Sequence, residues 1–456
     1  MIPYTPQAYK LLHEGSIALA EVEANGMRVD MDYLERTIRK THRRVQRMEA
    51  GIKGTDVYRA WHRTFGGKMK LGSREQLKTV LFKVLKIDKP DGMDSMDETS
   101  LNLLNHPFVK DWLAIEKLKK TSSTYLVGIQ RQVVDGLVHP FFPLHTTRTY
   151  RGSSSDPNFQ NIPIRVPETG RLVRRAFIPR KGRQVGEMDI KGNEVRFAAC
   201  YHKDPRMIEY ICDESKDMHR DMAMECFLLP QDQVNKGTRS TTKSLFVFAQ
   251  FYGDWYIDCA KRLWEAIELD KLTTADGVPI KKHLAGKGIV RLGNLDPKRE
   301  PLPGSFEGHI KAVERNFWKK RFPVYDKWKR TWVDAYRSKG YIQTLTGFVC
   351  QGYMKKNEII NYGIQGSAFH GLLWSLTRLI RYEMRKRRMK TLIVGQIHDS
   401  IVSDIVPEER DDYIMLCRDV VTRQLREEWP WLIVPMDVEM EIAGIDEPWA
   451  NKKAII

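Results

Sequence analysis

Apolar and polar residues recur along this chain with two periods, and each period predicts a different kind of element. Residues 31–49 have the helical period, with apolar residues on one side and basic residues on the other. The two sides are Leu34, Ile38, Val45 and Met48, and Arg36, Lys40, Arg43 and Arg47. Further helices are predicted after Ser73, an N-cap candidate, and over residues 356–386. Residues 435–441 predict a last edge strand.

Strand patterns also occupy two stretches that each end near an acidic residue. Residues 184–190 mix apolar and polar positions as a short strand does, with Asp189 expected near its end. Residues 391–403 contain two β-rich runs that meet at His398 and Asp399, which predicts a hairpin with an acidic tip. A single aspartate at a strand end is usually a turn or cap residue. Two carboxylates on two strands, in contrast, can share a pair of metal ions.

Composition narrows the classes of protein that fit. Lys and Arg number 75 against 58 Asp and Glu, a net charge of +17 on 456 residues. This excess favours a polyanionic partner, nucleic acid first, over a basic surface that serves solubility alone. Six scattered cysteines without CxxC or metal-site spacing favour a reduced, zinc-free protein. Without a signal-peptide pattern or an apolar run of roughly 18 residues, the chain is expected in the cytoplasm and off the membrane.

Residues 187–196 and 391–403 resemble motifs A and C of the family A DNA polymerases, the DNA polymerase I family. The resemblance extends over nearly the whole chain. It implies an α+β protein with the right-hand polymerase fold: an antiparallel-sheet palm, helical fingers and a helical thumb. In that family the two aspartates bind two catalytic Mg²⁺ ions, for which Mn²⁺ can substitute. The resemblance therefore assigns catalysis and metal binding to Asp189 and Asp399, with the carbonyl of Ile190 as a further ligand.

The resemblance also divides the chain into domains. These are an N-terminal segment at 1–30, the thumb at 31–135, the palm at 136–204 and 339–456, and the fingers at 205–338 with an insertion at 270–308. The N-terminal segment resembles the remnant of a linker from an exonuclease-like domain. Because these residues have no room for that domain, we expect a polymerase without proofreading in this chain. The protein is also expected to be a monomer. A separate exonuclease, a helicase or primase and a processivity factor are candidate partners.

Residues 239–253 resemble motif B, which in the family receives the incoming dNTP. The resemblance implies that Arg239 and Lys243, four residues apart on one helix face, bind the triphosphate. Phe248 and Tyr252, also four apart, are implied to form an aromatic wall against the base and sugar.

Motif B departs from the family pattern in one respect. The first aromatic residue follows the lysine by five positions instead of four, so we predict a helical bulge between Lys243 and Phe248. The alternative places Val247 or Phe251 in the aromatic role.

Two more residues are assigned to the nucleotide by the resemblance. Glu194 is implied to pack near Tyr252 and to block a ribose 2′-OH, which makes the substrate a deoxynucleotide. His219 is implied to approach the phosphates, and a capping or structural role is its alternative. Motif C has Ser400 where relatives usually carry glutamate, which leaves the two aspartates intact.

Residues 149–165 are too rich in turn and amide residues for a core element, and they match the family's most specific palm segment. The resemblance places four of them at the primer and template near the growing end: Arg151, Gln160, Asn161 and Arg165. Asn361 and Gln365, four apart on the last long helix, are implied to probe the minor groove. His398 is implied to support the primer terminus. The family's arginine one turn before Asn361 is Asn357 here.

These assignments imply a template-directed DNA polymerase that binds primer–template DNA and extends the primer 3′-OH with dNTPs. The reaction would be two-metal phosphoryl transfer that releases pyrophosphate. Two alternatives stay open: a phage-type RNA polymerase, a group that lacks the Glu194 gate, and a non-catalytic relative that clamps primer ends. The absent exonuclease domain, the shifted motif B and the insertion favour a phage source.

Overall fold

The computed structural model describes residues 2–90, 93, 95–163 and 167–455. Its first part contains strand β1 (Ile2–Pro3), helix α1 (Pro6–Asn25), strand β2 (Met27–Val29) and helices α2 (Met31–Lys53), α3 (Asp56–Phe65), α4 (Arg74–Lys78), α5 (Glu98–Leu103), α6 (Pro107–Lys120) and α7 (Val127–Gln132). A 3-10 turn follows α3 at Gly66–Lys68, and π turns extend α4 over Thr79–Val84 and α6 over Thr121–Leu126. The helix predicted over residues 31–49 is confirmed as α2, and Ser73 caps α4 by accepting a hydrogen bond from the Gln76 amide.

The next part leads from a sheet into the predicted fingers. Its elements are β3 (Leu137–Val138), a 3-10 turn (Phe159–Asn161), α8 (Pro167–Arg174), β4 (Phe177–Ile178), β5 (Gln184–Ile190) and α9 (Asn193–His202). Helices then follow one another: α10 (Pro205–Cys212), α11 (Met218–Phe227), α12 (Lys236–Thr242), α13 (Phe248–Phe251), α14 (Tyr256–Leu269), α15 (Ile280–Gly286), α16 (Phe306–Asn316) and α17 (Pro323–Lys339). Short turns lie between them: 3-10 at Gln231–Gln233, and π at Lys243–Val247 and Phe317–Arg321.

The last part returns to the sheet. It contains β6 (Tyr341–Gln343), β7 (Phe348–Gln351), α18 (Lys356–Arg378), α19 (Met384–Lys386), β8 (Leu392–Ile397), β9 (Ser400–Ile405), α20 (Arg410–Asp419), α21 (Leu425–Glu428), β10 (Val438–Ile442) and β11 (Lys453–Ala454). Connecting turns are π at Leu379–Glu383 and Val420–Gln424, and 3-10 at Pro407–Glu409 and Trp449–Asn451. The predicted helix over residues 356–386 is therefore a continuous run of α18, a π turn and α19.

The site depends on a five-stranded antiparallel sheet with the strand order β11-β10-β5-β9-β8. Its register sets Asp189 opposite Ser400 on one side and opposite Glu439 on the other. The strand that ends near Asp189 and the hairpin with Asp399 at its tip are both confirmed. The prediction of an edge strand over residues 435–441 is wrong, because β10 pairs with β5 and with the short β11.

Two further sheets, each of three strands, occur in the described residues. Their orders are β1-β7-β6 and β3-β2-β4. The first joins Ile2–Pro3 to the β6–β7 hairpin. Helix α1 packs on α18 and β8 and buries apolar residues in the main core: Ala8, Leu11, Ala18, Leu19 and Val22. The segment predicted as a linker remnant is therefore packed into the main core.

The buried apolar residues of the described chain lie in separate clusters. One large cluster runs through the sheet, α18 and the helices of the predicted fingers. Another, with Trp61 and Trp112 at its centre, lies within the predicted thumb. Burial of large apolar side chains is the main stabilising contribution to each cluster. No helix in the described ranges is long and apolar enough to cross a membrane.

Candidate functional site

A cavity of about 270 Å³ lies where the five-stranded sheet, α9 and α18 meet the helices of the predicted fingers. Residues from distant parts of the sequence line it. Among those predicted from the sequence are Arg151, Asp189, Ile190, Glu194, Lys243, Phe248, Tyr252, Asn361, Gln365 and Asp399. The fold thus brings the residues of motifs A, B and C to one place.

Two carboxylates form the floor of this cavity. Asp189 is the next-to-last residue of β5, and Asp399 lies in the two-residue turn between β8 and β9. The Ile190 amide donates to the Asp399 carbonyl oxygen at 3.2 Å, which joins the ends of both strands. Burial raises the pKa of Asp189 to about 7; Ser400 opposes this by donating a hydrogen bond, and the charge of Asp399 adds to it. Burial also raises the pKa of Asp399.

The carboxylate pair is chemically suited to a divalent cation. Both side chains are largely buried and repel each other, so a cation between them would offset an unfavourable charge. Carboxylate and carbonyl oxygens are the ligands that Mg²⁺ prefers. Within the residues that the structure describes, no group of three or more His, Cys, Asp or Glu side chains is arranged for a metal. The fit therefore rests on Asp189, Asp399 and the nearby backbone of Ile190.

A hydrogen-bonded pair stands on one wall of the cavity. The Tyr252 hydroxyl donates to Oε2 of Glu194, and Oε1 of Glu194 lies 3.5 Å from the Arg151 guanidinium. Burial raises the pKa of Glu194, while the Tyr252 hydrogen bond and the charge of Arg151 lower it. The predicted contact between Glu194 and Tyr252 is present.

The helix of motif B contains the predicted irregularity. A π turn spans Lys243–Val247 between α12 and α13, which confirms the bulge. Phe248 lines the cavity, with the Lys243 ammonium 5.4 Å from its ring centroid. Val247 is fully buried in the core, away from the cavity lining. Phe251 contributes to the cavity wall but packs on the aromatic side chains behind it.

Two predicted nucleotide residues, Arg239 and His219, do not line the cavity. Arg239 forms an ion pair with Asp217, with 2.5 Å between its Nε and the carboxylate oxygen. His219 packs edge-on against Phe248, and burial together with the charges of Lys243 and Arg239 lowers its pKa to about 4. The backbone amide of His219 donates to the Asp217 carboxylate, which caps α11. His219 therefore lies between the N-terminal end of α11 and Phe248 of the cavity wall, a position that is compatible both with phosphate contact and with a structural role.

The predicted DNA contacts are arranged around the acidic hairpin. Gln160 holds this hairpin: its Nε2 donates to the backbone and side chain of Gln396, and its Oε1 accepts from the His398 amide at 2.5 Å. Asn161 and His398 are exposed beside it. Arg165 lies outside the described residues.

On α18, Asn361 and Gln365 both face the cavity. The Asn361 amide donates to the Tyr252 carbonyl at 3.1 Å. One turn earlier, Asn357 donates to the Gly253 carbonyl at 3.4 Å. The α18 face that carries the predicted minor-groove residues is therefore in contact with the end of the motif B helix.

Comparison with known proteins agrees with this geometry. Residues 32–271, more than half of the chain, match the sequence profile of DNA polymerase family A. The chain belongs to DNA polymerase family A. The thermostable DNA polymerase I of Thermus aquaticus is 26% identical over 96% of this chain and 47% of its own length. DNA polymerase I of Lactococcus lactis is 25% identical over 92% of this chain and 43% of its own. The chain thus spans about half the length of these relatives.

A solved structure extends the similarity to the fold. It is the POL domain of Pol1 from M. smegmatis in complex with DNA primer-template and dNTP, with a TM-score of 0.73 and 23% identity. The match covers 96% of this chain and 70% of that one. The predicted α+β right-hand polymerase fold of family A is thereby confirmed.

Two residues that the sequence analysis did not single out support the candidate site: Asn193 and Gln396. Asn193 donates to Asp399, and Gln396 links Gln160 to the hairpin tip. Helical spacing could have predicted that Asn193 is buried, since it lies on the same helix face as the apolar residues Phe197 and Cys200. Gln396 had no such signal, because its partners come from a distant loop.

Proposed function

We propose that this chain is the polymerase part of a template-directed DNA polymerase, which extends a primer 3′-OH with dNTPs and releases pyrophosphate. The observation that carries the proposal is the single cavity in which paired carboxylates face Lys243, an aromatic wall and the Glu194–Tyr252 pair. The similarity to DNA polymerase I of several bacteria supports it. So does the similarity to a solved POL domain that holds primer-template DNA and a dNTP.

Asp189, Asp399 and the Ile190 carbonyl are the residues that we assign to two Mg²⁺ ions, with Mn²⁺ as a substitute. Ions bound there would stabilise the charge that develops on the attacking and leaving oxygens. The chain itself contributes the position of both carboxylates, because Asp189 lies near the end of β5 and Asp399 lies in the tight turn that joins β8 and β9, the next two strands of the sheet. Sites built on such elements are held more accurately than sites on loops.

The motif B helix supplies cations for the triphosphate. Phosphoryl transfer depends mainly on positioning and on compensation of charge. Lys243 already faces the cavity, and its ammonium would hold phosphate oxygens there. Arg239 is bound to Asp217 in a partly exposed ion pair. Such pairs contribute little stability, so the guanidinium can exchange Asp217 for phosphate.

Selection of the sugar would come from Glu194 and Tyr252. Their hydrogen bond fixes a carboxylate against the wall of the cavity, where it would exclude a ribose 2′-OH. A single-subunit RNA polymerase needs that space, so this pair favours the deoxynucleotide substrate. Phe248 would stack on the base, while Arg151, Asn361 and Gln365 would read the minor-groove acceptors that every base pair offers.

The thumb helix α2 offers a surface for the duplex backbone. Its basic side carries cations that form no ion pair with any described residue: Arg36, Lys40, Arg43 and Arg47. Unpaired cations in a row fit phosphates without reading sequence.

Extension of a labelled primer on a DNA template tests the proposal, with dNTPs or rNTPs and one sample without nucleotide. We expect extension with dNTPs and Mg²⁺, none with EDTA, and no shortening of the primer without nucleotide. Asp399→Asn is expected to slow single-turnover extension by at least about 100-fold. Asp437→Asn is the control, because Asp437 pairs with Lys191 outside the cavity. Near-normal extension by Asp399→Asn would overturn the proposal; duplex binding without extension would favour the clamping alternative.

A further inference from the structure

Ser400 lies directly beside one of the two candidate catalytic carboxylates. The register of β5 and β9 makes Asp189 and Ser400 opposite residues, and side chains of opposite residues lie on the same face of a sheet. The Ser400 hydroxyl donates to Oδ1 of Asp189 at 2.9 Å. Ser400 is buried, at 7% exposure, so water does not compete freely for this hydrogen bond. The hydroxyl therefore fixes the orientation of the Asp189 carboxylate.

Asn193 stands in the same relation to the other carboxylate. Its Nδ2 donates to Oδ1 of Asp399 at 3.3 Å and to the Ala368 carbonyl at 3.0 Å. Both neighbours are acceptors, which determines the orientation of the amide. Asn193 is only 2% exposed, and its Oδ1 has no hydrogen-bond partner among the described residues. A buried polar atom without a partner is unfavourable, so Asn193 lowers the stability of the fold.

We propose that Ser400 and Asn193 are positioning residues, each of which holds one carboxylate of the catalytic pair with a neutral hydrogen-bond donor. The inference rests on the proposed function, in which these carboxylates hold the metal ions. A lysine or arginine in either place would form an ion pair and neutralise the charge that attracts a cation. A neutral donor fixes the side chain and leaves its negative charge in place. It also leaves Oδ2 of each carboxylate outside these two hydrogen bonds.

This arrangement gives a physical role to Ser400, the residue at which motif C of this chain departs from the family pattern. Where relatives usually carry a glutamate, this chain has a hydroxyl against Asp189. It therefore has one negative charge fewer at the site, and the orientation of the remaining carboxylates determines more of the affinity for the cation. Partners that orient metal ligands typically change metal affinity or activity by about 10- to 100-fold when they are removed.

Binding of Mn²⁺, measured by electron paramagnetic resonance on the whole chain without nucleotide, tests this role apart from catalysis. Ser400→Ala is expected to weaken Mn²⁺ binding by about 10-fold. It should raise the Mg²⁺ concentration for half-maximal extension by the same factor, with kcat at saturating Mg²⁺ and the affinity for primer–template little changed. Ser400→Thr keeps the hydroxyl and is expected to restore both values. Asn193→Leu, which keeps the branched shape and the number of side-chain heavy atoms but lacks the donor, should act in the same direction as Ser400→Ala.

Ser403→Ala is the matched control. Ser403 lies on the same strand, is also buried and shares a hydrogen bond of 2.6 Å with the Tyr413 hydroxyl, away from the carboxylates. Its substitution should leave Mn²⁺ binding unchanged. Thermal melting of every variant shows whether it is folded.

The outcomes separate this inference from the proposed function. If the unmodified chain extends primers while Ser400→Ala and Asn193→Leu bind Mn²⁺ as it does, the positioning role is refuted and the function stands. If the unmodified chain binds Mn²⁺ without extending primers, the function fails. The affinities of the variants then decide the positioning role by themselves. If Asp399→Asn leaves Mn²⁺ binding unchanged, the pair is not the metal site and the inference falls with it.

Discussion

Replacement of Glu194 by alanine is expected to let the site accept ribonucleotides. Glu194 is the second residue of α9, and its side chain is only 17% exposed. One carboxylate oxygen accepts the Tyr252 hydroxyl, and the other faces Arg151 at 3.5 Å. Because both oxygens have partners, the carboxylate cannot turn toward another hydroxyl without losing one. A 2′-OH at this wall therefore meets occupied space.

The size of the effect follows from the cost of steric overlap between a ribose 2′-OH and the Glu194 side chain. Forcing an extra group into a packed site costs about 1–3 kcal/mol. Each 1.36 kcal/mol corresponds to about a tenfold change in rate, so the present side chain should favour dNTPs by roughly 5- to 150-fold. Truncation to alanine removes the obstacle, and the preference should fall by about this factor. Incorporation of dNTPs should change little, because a deoxyribose has no 2′-OH and therefore forms no hydrogen bond there that the alanine variant would lose.

Single-nucleotide incorporation on one primer–template, with kcat/KM measured for a dNTP and the matching rNTP, checks this expectation. Glu194→Gln is the matched variant, because it keeps the volume and still accepts a hydrogen bond from Tyr252. It should retain most of the selectivity. An unchanged dNTP-to-rNTP ratio in Glu194→Ala would refute the steric argument. If the alanine and glutamine variants lose selectivity for dNTPs equally, the selectivity comes from the charge of Glu194 instead of its volume.

Three further expectations concern other parts of the chain. Phe248→Tyr should increase incorporation of dideoxynucleotides by about 10- to 150-fold, because the added hydroxyl can donate one hydrogen bond to a charged group of the nucleotide. Termination ladders measure this increase. Asp204→Ala should destabilise the fold by about 1–4 kcal/mol in a thermal melt, because its buried carboxylate caps both α10 and α17. Burial lowers the pKa of His202 and of His370 to about 3. Since the unfolded chain binds these protons near pH 6.5, the contribution of the two histidines to stability should be constant above that pH and fall below it, by about 2 kcal/mol per histidine at pH 5. Melting temperatures between pH 5 and pH 6.5 measure how steeply stability falls with pH, and His370→Leu should make this dependence less steep.

Local patterns predict the central elements of the site correctly. The strand that carries Asp189 and the hairpin that carries Asp399 each follow from the alternation of a few neighbouring residues, because side chains alternate faces along a strand. The π turn after Lys243 is also predictable. The Phe248–Tyr252 spacing is intact while the spacing from the lysine is longer by one residue, and a helix absorbs one extra residue as a π turn.

Contacts between distant segments are not predictable in this way. Residues 435–441 resemble an edge strand because β11, with only two residues, is too short to leave a pattern. The family resemblance assigns Gln160 to DNA, yet both ends of its amide hold the acidic hairpin, and nothing near it in the sequence indicates that partner. Arg239 likewise pairs with Asp217 across two helices. In each case the partner is chosen by the tertiary fold.

The end of the motif B helix is where these distant contacts meet. The Tyr252 hydroxyl binds Glu194 of α9, while its carbonyl accepts from Asn361 of α18. Gly253 follows with a positive φ of 93°, and the Asn357 side chain lies where a Cβ would be, so glycine alone fits. The Asn361 amide has a second hydrogen for a base edge. A duplex held by that hydrogen would therefore be connected, through one side chain, to the residue that holds the Glu194 carboxylate. The hydrogen bond from Asn361 joins neutral groups and contributes only about 0.5–1.5 kcal/mol, and the one from Tyr252 to the Glu194 carboxylate contributes about 1.5–3 kcal/mol. Both are small enough to be exchanged when the helix moves. The primer end and the sugar of the incoming nucleotide would thus be monitored by a single, breakable set of contacts around Tyr252.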